Sequence, residues 1–257
     1  MDSHELRATA TLALTLLDLT NLNDACTLDD IEALCARAVT PFGHAAAICI
    51  WPRFVVHARA QLGKDSPVKI ATVVNFPSGD REVAEVVAET RKAVADGADE
   101  IDLVIPYKAL LAGREDEVVA MIAAVRAVCP SPVLLKTILE TGELKDRALI
   151  RRASEIAISG GSDFIKTSTG KVAVNATLEA ADIMLRAIRA SGRKVGFKPA
   201  GGIGSVADAA LYLRHAATIM GDDWVMPSTF RFGASSLMND ILSVLTTGQP
   251  LAKTSGY

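Results

Sequence analysis

Charged side chains stand inside or at the ends of apolar runs at six places in the sequence. They are Asp18, Asp102, Lys136, Lys166, Lys198 and Arg231. Lysine and aspartate are almost never fully buried unless they are paired, so such residues indicate either internal ion pairs or a functional site. Because the six belong to six separate runs, the pattern favours one shared site over unrelated ion pairs.

Three of the six residues are lysines, and lysines that share a cavity can carry out carbonyl chemistry. An ammonium group has no lone pair and cannot attack a carbonyl, but burial and a neighbouring cation both favour the neutral amine. If the runs of Lys166 and Lys198 are adjacent, one amine becomes the nucleophile and the other stays charged and transfers protons. Asp102 would relay protons as a carbinolamine forms and loses water. These residues therefore predict a Schiff-base mechanism.

Eight apolar runs predict the strands that position these residues. They cover residues 16–20, 45–50, 69–76, 100–105, 133–140, 163–167, 194–198 and 229–234. Their starts are about 24 to 35 residues apart, which is the size of a βα unit. Near-continuous apolar strands are typical of a parallel sheet covered by helices.

The stretches between the runs have helical spacing. Residues 80–96, 148–159 and 176–190 predict helices, the first ending before Gly97 as its C-cap. The pattern predicts an α/β fold, a (β/α)8 TIM barrel, with an additional N-terminal helix in residues 1–15. Residues 1–257 would form a single domain with a flexible C-terminal tail, residues 247–257. A doubly wound sheet stays an alternative because it shares the βα alternation.

The composition excludes several classes of function. The 257 residues are 50% hydrophobic and carry a formal net charge of −3, which gives no basic patch for nucleic acid or membrane. The four cysteines form no C-x-x-C pair, and the four histidines have no metal-ligand spacing. No apolar run is long enough for a membrane span. We expect a cytoplasmic protein without metal or cofactor.

Two loops have the composition of phosphate sites. The segment from Thr167 to Lys171 resembles the end of a P-loop but lacks its first glycine and its final hydroxyl residue. Gly202, Gly204 and Ala207 fit a dinucleotide motif only weakly, because no ribose-binding acid follows. A phosphate held by backbone N–H groups at a helix start is the better interpretation, and such sites follow strands seven and eight of many barrels. Ser235 and Ser236 agree with it, although ordinary N-capping by serine is the alternative.

At this point the motifs resemble those of the deoxyribose-phosphate aldolase family. They are LLDLTNLND, AAAICIWPRF, VVNFPSG, ADEIDLVIPY, LLKTILETGEL, DFIKTSTGKVAVNAT, GFKPAGG and RFGASS, and they span about residues 16–236. The resemblance implies a carbon-carbon lyase that reversibly cleaves 2-deoxy-D-ribose 5-phosphate to D-glyceraldehyde 3-phosphate and acetaldehyde. It places the enzyme in deoxyribose phosphate catabolism.

The resemblance also assigns residues. Lys166 would form the Schiff base, Lys198 would tune it, Asp102 would relay protons, and Tyr257 would assist proton transfer next to the imine. The remaining expected substrate contacts are Asp18, Thr20, Asn23, Cys49, Lys136, Thr169, Gly170, Lys171, Gly201, Gly202, Ser235 and Ser236. Of these, Gly170, Lys171, Gly201, Gly202, Ser235 and Ser236 would hold the phosphate. The resemblance is also to proteins that are monomers or dimers, so a homodimer is possible.

Two residues add hypotheses of their own. Family members often carry arginine at the position of Gly204, so this chain would have a weaker preference for phosphorylated substrates. Cys49 ends the second run and could face the cavity, where an unsaturated aldehyde could alkylate it; the alternative is a small buried hydrophobe.

Three other functions are alternatives for this sequence. A transaldolase-like or other sugar-phosphate aldolase would use the same lysine chemistry on a different donor. A sugar-phosphate binding protein would keep the pocket without turnover. A metal-dependent aldolase is disfavoured by the scattered histidines.

Overall fold

The computed structural model of the chain describes residues 1–251, and Tyr257 lies outside them. The strands are β1 (Leu17–Asn21), β2 (Val39–Thr40), β3 (Gly43–His44), β4 (Ala47–Ile50), β5 (Lys69–Val74), β6 (Glu100–Val104), β7 (Leu134–Ile138), β8 (Phe164–Lys166), β9 (Gly196–Lys198) and β10 (Phe232–Ala234). The helices are α1 (Ser3–Thr15), α2 (Leu28–Arg37), α3 (Val55–Leu62), α4 (Val83–Ala95), α5 (Tyr107–Leu111), α6 (Glu115–Arg126), α7 (Thr141–Leu144), α8 (Arg147–Ser159), α9 (Leu178–Ser191), α10 (Val206–Met220) and α11 (Leu237–Thr247). Short 3₁₀ turns cover Pro52–Phe54 and Asp222–Trp224.

Eight parallel strands form a closed ring. Their order is β10, β1, β4, β5, β6, β7, β8 and β9, and every neighbouring pair is parallel. Backbone bonds close the ring between β9 and β10: Arg231 N donates to Phe197 O at 3.0 Å, and Gly233 N donates to Pro199 O at 2.9 Å. The predicted (β/α)8 barrel is confirmed, and the doubly wound sheet is wrong because an open sheet has two free edges.

The strands are buried on both faces because helices cover the outside and side chains fill the inside. All residues of β4 and β6 are buried, which explains their near-continuous apolar sequence. The covering helices begin at polar caps, for example Asp146, whose side chain accepts from Leu149 N at the start of α8. The N-terminal helix α1 packs on α10 and α11 through Ala10, Ala13 and Leu14.

Several predicted strands were too long at their carboxyl ends. The run 69–76 becomes β5, which ends at Val74 because Asn75 turns to a positive φ of 55° and donates from Nδ2 to Val104 O at 2.9 Å. The run 133–140 ends as β7 at Ile138, and Glu140 has a φ of 56°. Left-handed backbone cannot continue a strand. Among the described residues, no helix has the length and apolar character needed to cross a membrane.

Candidate active site

The strand register places Lys166 and Lys198 side by side. Their Cα atoms are direct partners across β8 and β9, so both side chains leave the sheet on the same face, toward the barrel interior. Both ammonium groups bind one carboxylate oxygen: Lys166 Nζ and Lys198 Nζ each lie 2.8 Å from Asp102 Oδ2. The two lysines are therefore neighbours that share one carboxylate, as the paired-lysine prediction requires.

Asp102, on β6, joins the lysines. Its Oδ1 accepts from Lys136 Nζ at 3.0 Å, while its Oδ2 serves Lys166 and Lys198. Burial of the carboxyl group opposes its charge, but the ammonium groups of Lys136, Lys166 and Lys198 outweigh burial and hold the pKa of Asp102 well below its usual range. Asp102 is therefore ionised.

A second layer of charges lies deeper in the barrel. Arg231 donates to Asp18 Oδ1 at 2.7 Å and to Glu100 Oε1 at 2.9 Å, and Lys136 forms an ion pair with Glu100. We call Glu100, Lys136, Arg231 and Asp18 the buried layer, and Lys166, Asp102 and Lys198 the cavity layer. Lys198 also pairs with Asp18, which links the two layers.

Opposite charges in the buried layer fix its ionisation. Burial would favour the neutral forms, but the carboxylates Asp102, Asp18 and Glu100 raise the pKa of Lys136 despite it. The pKa of the Asp18 carboxyl group is lowered, because the cations of Lys136, Lys198 and Arg231 outweigh the effect of its burial. The pKa of Lys198 is likewise raised, because Asp102 and Asp18 outweigh its burial.

Glycine makes room for Lys198. A Cβ atom built on Gly233 of β10 would lie 3.1 Å from Lys198 Cε and 2.8 Å from Ala200 Cβ. Both separations are shorter than ordinary van der Waals contact. The glycine of the RFGASS segment thus lets β10 approach the lysine closely, in addition to any role of this segment toward phosphate.

The three lysines of the cluster differ in their access to the cavity. The cluster contains three carboxylates and four cationic groups, and both Lys136 and Lys198 are fully buried. The Lys166 side chain is 4% exposed and is the lysine of the cluster that lines the cavity. Within residues 1–251, Lys166 pairs with Asp102 alone, whereas Lys136 contacts three carboxylates.

The cavity has a volume of about 840 Å³ and opens at the carboxyl ends of the strands. Nine predicted contact residues line it, namely Thr20, Asn23, Thr169, Gly170, Lys171, Gly201, Gly202, Ser235 and Ser236. Thr20 and Asn23 lie on the side of β1, and the others belong to the loops that follow β8, β9 and β10. Lys166 lies at the floor between these two groups.

Three predicted contacts do not line the cavity. Asp18 and Lys136 are fully buried beneath it, where ion pairs occupy their charged atoms. Cys49 is also fully buried, packed with Leu22, Ala71 and Val73, and burial raises the pKa of its thiol. The structure does not place these side chains at the cavity surface, because strand residues below the rim point into a filled barrel, and their contact with substrate stays a prediction. The alkylation of Cys49 stays a prediction.

The helix start after β9 is already occupied by carboxylates. Asp208 accepts from Ser205 N at 3.0 Å and Gly204 N at 3.3 Å, and Asp240 accepts from Val206 N at 2.7 Å. These N–H groups are not available to a phosphate. The phosphate site predicted at this helix start is therefore limited to the glycines before it, Gly201 and Gly202. Gly202 has a φ of 80°, which favours glycine, and its Cβ position is open.

The helix start after β10 differs. Ser236 is the N-cap of α11, but its side chain makes no capping hydrogen bond. Ser235 and Ser236 are both exposed and both line the cavity. Ordinary N-capping, the alternative interpretation of these serines, therefore does not explain them.

Sequence reasoning missed Glu140 and Glu100. Glu140 follows β7, is fully buried, and accepts from Thr169 Oγ1 at 2.6 Å. Thr169 Oγ1 accepts in turn from Lys171 N at 3.0 Å, so Glu140 orders the loop that carries Lys171. Burial raises the pKa of Glu140 although Thr169 and Lys166 oppose the shift. Both glutamates could have been found, because each is a charged residue at the end of an apolar run.

The predicted role of Tyr257, and most of the predicted tail 247–257, lies outside the described residues. Within them, α11 ends at Thr247, and Gly248 follows with a φ of 75°.

The fold and the site together define a class. A (β/α)8 barrel with one accessible lysine in a buried ion cluster, at the carboxyl ends of the strands, is an enzyme built for small polar substrates.

Comparison with known proteins identifies the family. The model of the DeoC/LacD family aldolases matches residues 12–243. A deoxyribose-phosphate aldolase from Agrobacterium fabrum (strain C58) is 68% identical over 257 residues, which are 100% of this chain and 99% of that protein. The chain belongs to the DeoC/LacD aldolase family and is an aldolase.

Solved structures agree on the fold. A provisionally assigned deoxyribose-phosphate aldolase from Toxoplasma gondii ME49 superposes with a TM-score of 0.88 at 26% identity, covering 96% of this chain and 98% of that one. A tetrameric deoxyribose phosphate aldolase from Aeropyrum pernix gives a TM-score of 0.72 at 21% identity, covering 96% and 99% of the two chains. At that identity the second comparison supports the fold alone.

Proposed function

We propose that this aldolase reversibly cleaves 2-deoxy-D-ribose 5-phosphate to D-glyceraldehyde 3-phosphate and acetaldehyde through a Schiff base on Lys166. The main observation in support of this proposal is that Lys166 alone of the clustered lysines lines the cavity. The name of the 68% identical relative supports the substrate. The family motifs around Lys166 and Lys198 support the lysine chemistry.

The nucleophile must be a neutral amine, and the charges select Lys166. With every group ionised, the four cations of the cluster exceed the three carboxylates by one, so losing one proton leaves the cluster neutral. Lys136 and Lys198 each contact at least two carboxylates, while Lys166 contacts one. Deprotonation of Lys166 therefore costs the least Coulomb energy.

Proton transfer falls to the partners of Lys166. Its amine attacks C1 of the open-chain sugar, and the carbinolamine loses water after taking a proton from Lys198, while the ionised Asp102 holds both side chains in place and accepts protons. The iminium then accepts the electron pair of the C2–C3 bond as the C3 hydroxyl passes its proton, through water, to the Lys198 amine that the first step left neutral. Glyceraldehyde 3-phosphate leaves, the enamine takes that proton at C2, and hydrolysis of the imine by water releases acetaldehyde and restores Lys166.

The ends of the cavity suit the ends of the substrate. Thr20 and Asn23 offer a hydroxyl and an amide to the sugar hydroxyls from the β1 side. Gly170, Lys171, Gly201, Gly202, Ser235 and Ser236 would hold the phosphate across the cavity. Tyr257 keeps its proposed role next to the imine, outside the described residues.

An activity assay separates this proposal from its rivals. The enzyme should release acetaldehyde from 2-deoxyribose 5-phosphate and should not cleave sugar phosphates that yield dihydroxyacetone or its phosphate. Cleavage of the latter group alone would support a transaldolase-like enzyme. Activity lost on adding EDTA would support a metal-dependent aldolase, and binding without turnover would support a sugar-phosphate binding protein.

The remaining partner predictions belong to this proposal. We expect a small-molecule substrate, no nucleic-acid or membrane partner, no metal or cofactor, and a monomer or homodimer. Sedimentation velocity would test the assembly, and a tetramer would contradict the expectation. The cytoplasmic location stays a prediction.

A further inference from the structure

The cavity has a cation near the expected phosphate residues that the sequence did not predict. Among the residues expected to hold the phosphate, Lys171 carries the only positive charge. The cavity is also lined by Arg37, the last residue of α2, which comes from the opposite part of the chain.

The guanidinium of Arg37 is directed toward the loop that follows β10. Its Nη2 donates to Asn239 Oδ1 at 2.6 Å, and Asn239 is the third residue of α11. Ser235 and Ser236, just before that helix, line the same cavity as Arg37. Arg37 therefore reaches the helix that these serines precede, and the Ser236 hydroxyl makes no capping bond.

The hydrogen-bond partner of Arg37, Asn239, is neutral and does not compensate the guanidinium charge. Asn239 is an amide and neutralises nothing, unlike the carboxylates that pair Arg147, Arg151 and Arg186 on the outer surface. A charged guanidinium with a neutral partner at the rim of a cavity can add a charge-assisted hydrogen bond to an anion.

Space at Gly204 supports the same interpretation. A Cβ atom built on Gly204 would meet Ser236 Oγ at 3.4 Å and, apart from its chain neighbours, no other heavy atom of the described residues within 4 Å. A longer side chain at this position would enter the region that Ser236 and Arg37 line. Glycine at 204 leaves that region open to a ligand and to the guanidinium.

We propose that Arg37 determines specificity for the phosphate of the substrate and supplies, from α2, a second cation in addition to Lys171. The inference rests on the proposed function, because it names a contact for that substrate. It replaces the expectation that the loss of charge at position 204 relaxes the preference for phosphorylated substrates.

A simpler role for Arg37 is structural. Arginine in the last turn of a helix interacts favourably with the helix dipole, and its bond to Asn239 ties α2 to α11. A structural role would affect both substrates equally, whereas a phosphate contact would affect only the phosphorylated one.

The test compares Arg37→Gln, Arg37→Lys and the control Arg91→Gln on 2-deoxyribose 5-phosphate and on 2-deoxyribose. Arg91 is an exposed residue of α4 that does not line the cavity. For Arg37→Gln we expect KM for the phosphorylated sugar to rise about tenfold or more, the loss of one charge-assisted bond. Its kcat, and kcat/KM for 2-deoxyribose, should change less than about twofold, within the scatter of neutral surface substitutions.

The conservative and compensating variants sharpen the result. Arg37→Lys should lose less affinity than Arg37→Gln, and Gly204→Arg added to Arg37→Gln should recover part of the loss. An unchanged KM in Arg37→Gln, or an equal loss on both sugars, would overturn the proposal.

Titration with inorganic phosphate keeps this inference separate from the proposed function. The wild-type protein should bind phosphate more tightly than Arg37→Gln, and Arg91→Gln should match the wild type. If the wild type cleaves neither sugar but still shows this difference, the proposed function fails and the anion contact stands. Equal phosphate affinity in all three proteins overturns the anion contact.

Discussion

The cavity layer and the buried layer each contain a lysine paired with carboxylates, but Lys166 and Lys136 differ in the number of those partners and in access to the cavity. Lys136 contacts three carboxylates and is fully buried, whereas Lys166 contacts one carboxylate and reaches the cavity. The three carboxylates around Lys136 stabilise its charged form, and its burial prevents contact with a substrate in the cavity. The comparison teaches that the number of carboxylate partners and the path to the cavity, and not the residue type, distinguish a catalytic lysine from a structural one.

The largest effect that sharpens this comparison should come from Lys198→Leu. Removing the charged neighbour leaves Asp102 to hold the Lys166 proton and removes a proton donor. We expect kcat at neutral pH to fall about 10³-fold, the typical range for loss of acid-base catalysis. Steady-state kinetics and circular dichroism measure the activity and the fold.

The control for this change is Lys194→Leu, an exposed lysine just before β9. It should leave kcat unchanged. Near-normal turnover of Lys198→Leu would contradict the paired-lysine account.

Lys136→Met should act on stability more than on chemistry. It removes the cation that contacts all three carboxylates, those of Asp18, Glu100 and Asp102, and breaking a buried ion network typically costs about 3–5 kcal/mol in the free energy of unfolding. Urea unfolding measures this loss, and kcat of the folded protein should fall less than in Lys198→Leu. Adding Glu100→Gln, which removes an excess negative charge, should recover part of the stability.

The comparison breaks if Lys136→Met keeps its stability and loses turnover as severely as Lys198→Leu. Lys136 would then belong to the cavity layer.

A smaller effect concerns the free energy of unfolding at acidic pH. The pKa of Asp102 is far lower in the folded protein than its unfolded value of about 3.9, so the unfolded state binds more protons below that pH. Stability from Asp102 is therefore complete above about pH 4 and is lost as the pH falls toward the folded pKa. In urea unfolding from pH 7 to pH 3, Asp102→Asn should show a shallower decline below pH 4 than the wild type. Parallel declines would contradict the ion cluster.

Much of this architecture could be predicted from the sequence. The alternation of apolar runs and helices predicts the barrel, and the strand period places Lys166 and Lys198 on one face once β8 and β9 are neighbours. These features follow from local periodicity, which one sequence contains.

The depth of each residue could not be predicted. Lys136 and Lys166 give the same signal, a lysine in an apolar run, and only the closed ring shows which one lies beneath the other. Arg37 gave no signal at all, because an arginine at a helix end is ordinary and its approach to α11 depends on tertiary packing. Strand ends were overestimated where Asn75 and Glu140 adopt left-handed backbone, which side-chain type does not reveal.

Borohydride reduction in the presence of acetaldehyde tests the central claim most directly. The account predicts one ethyl group on the peptide that contains Lys166, and no label in Lys166→Met. An ethyl group on Lys198 or Lys171 in the wild type, or the absence of any adduct in an active enzyme, would contradict it.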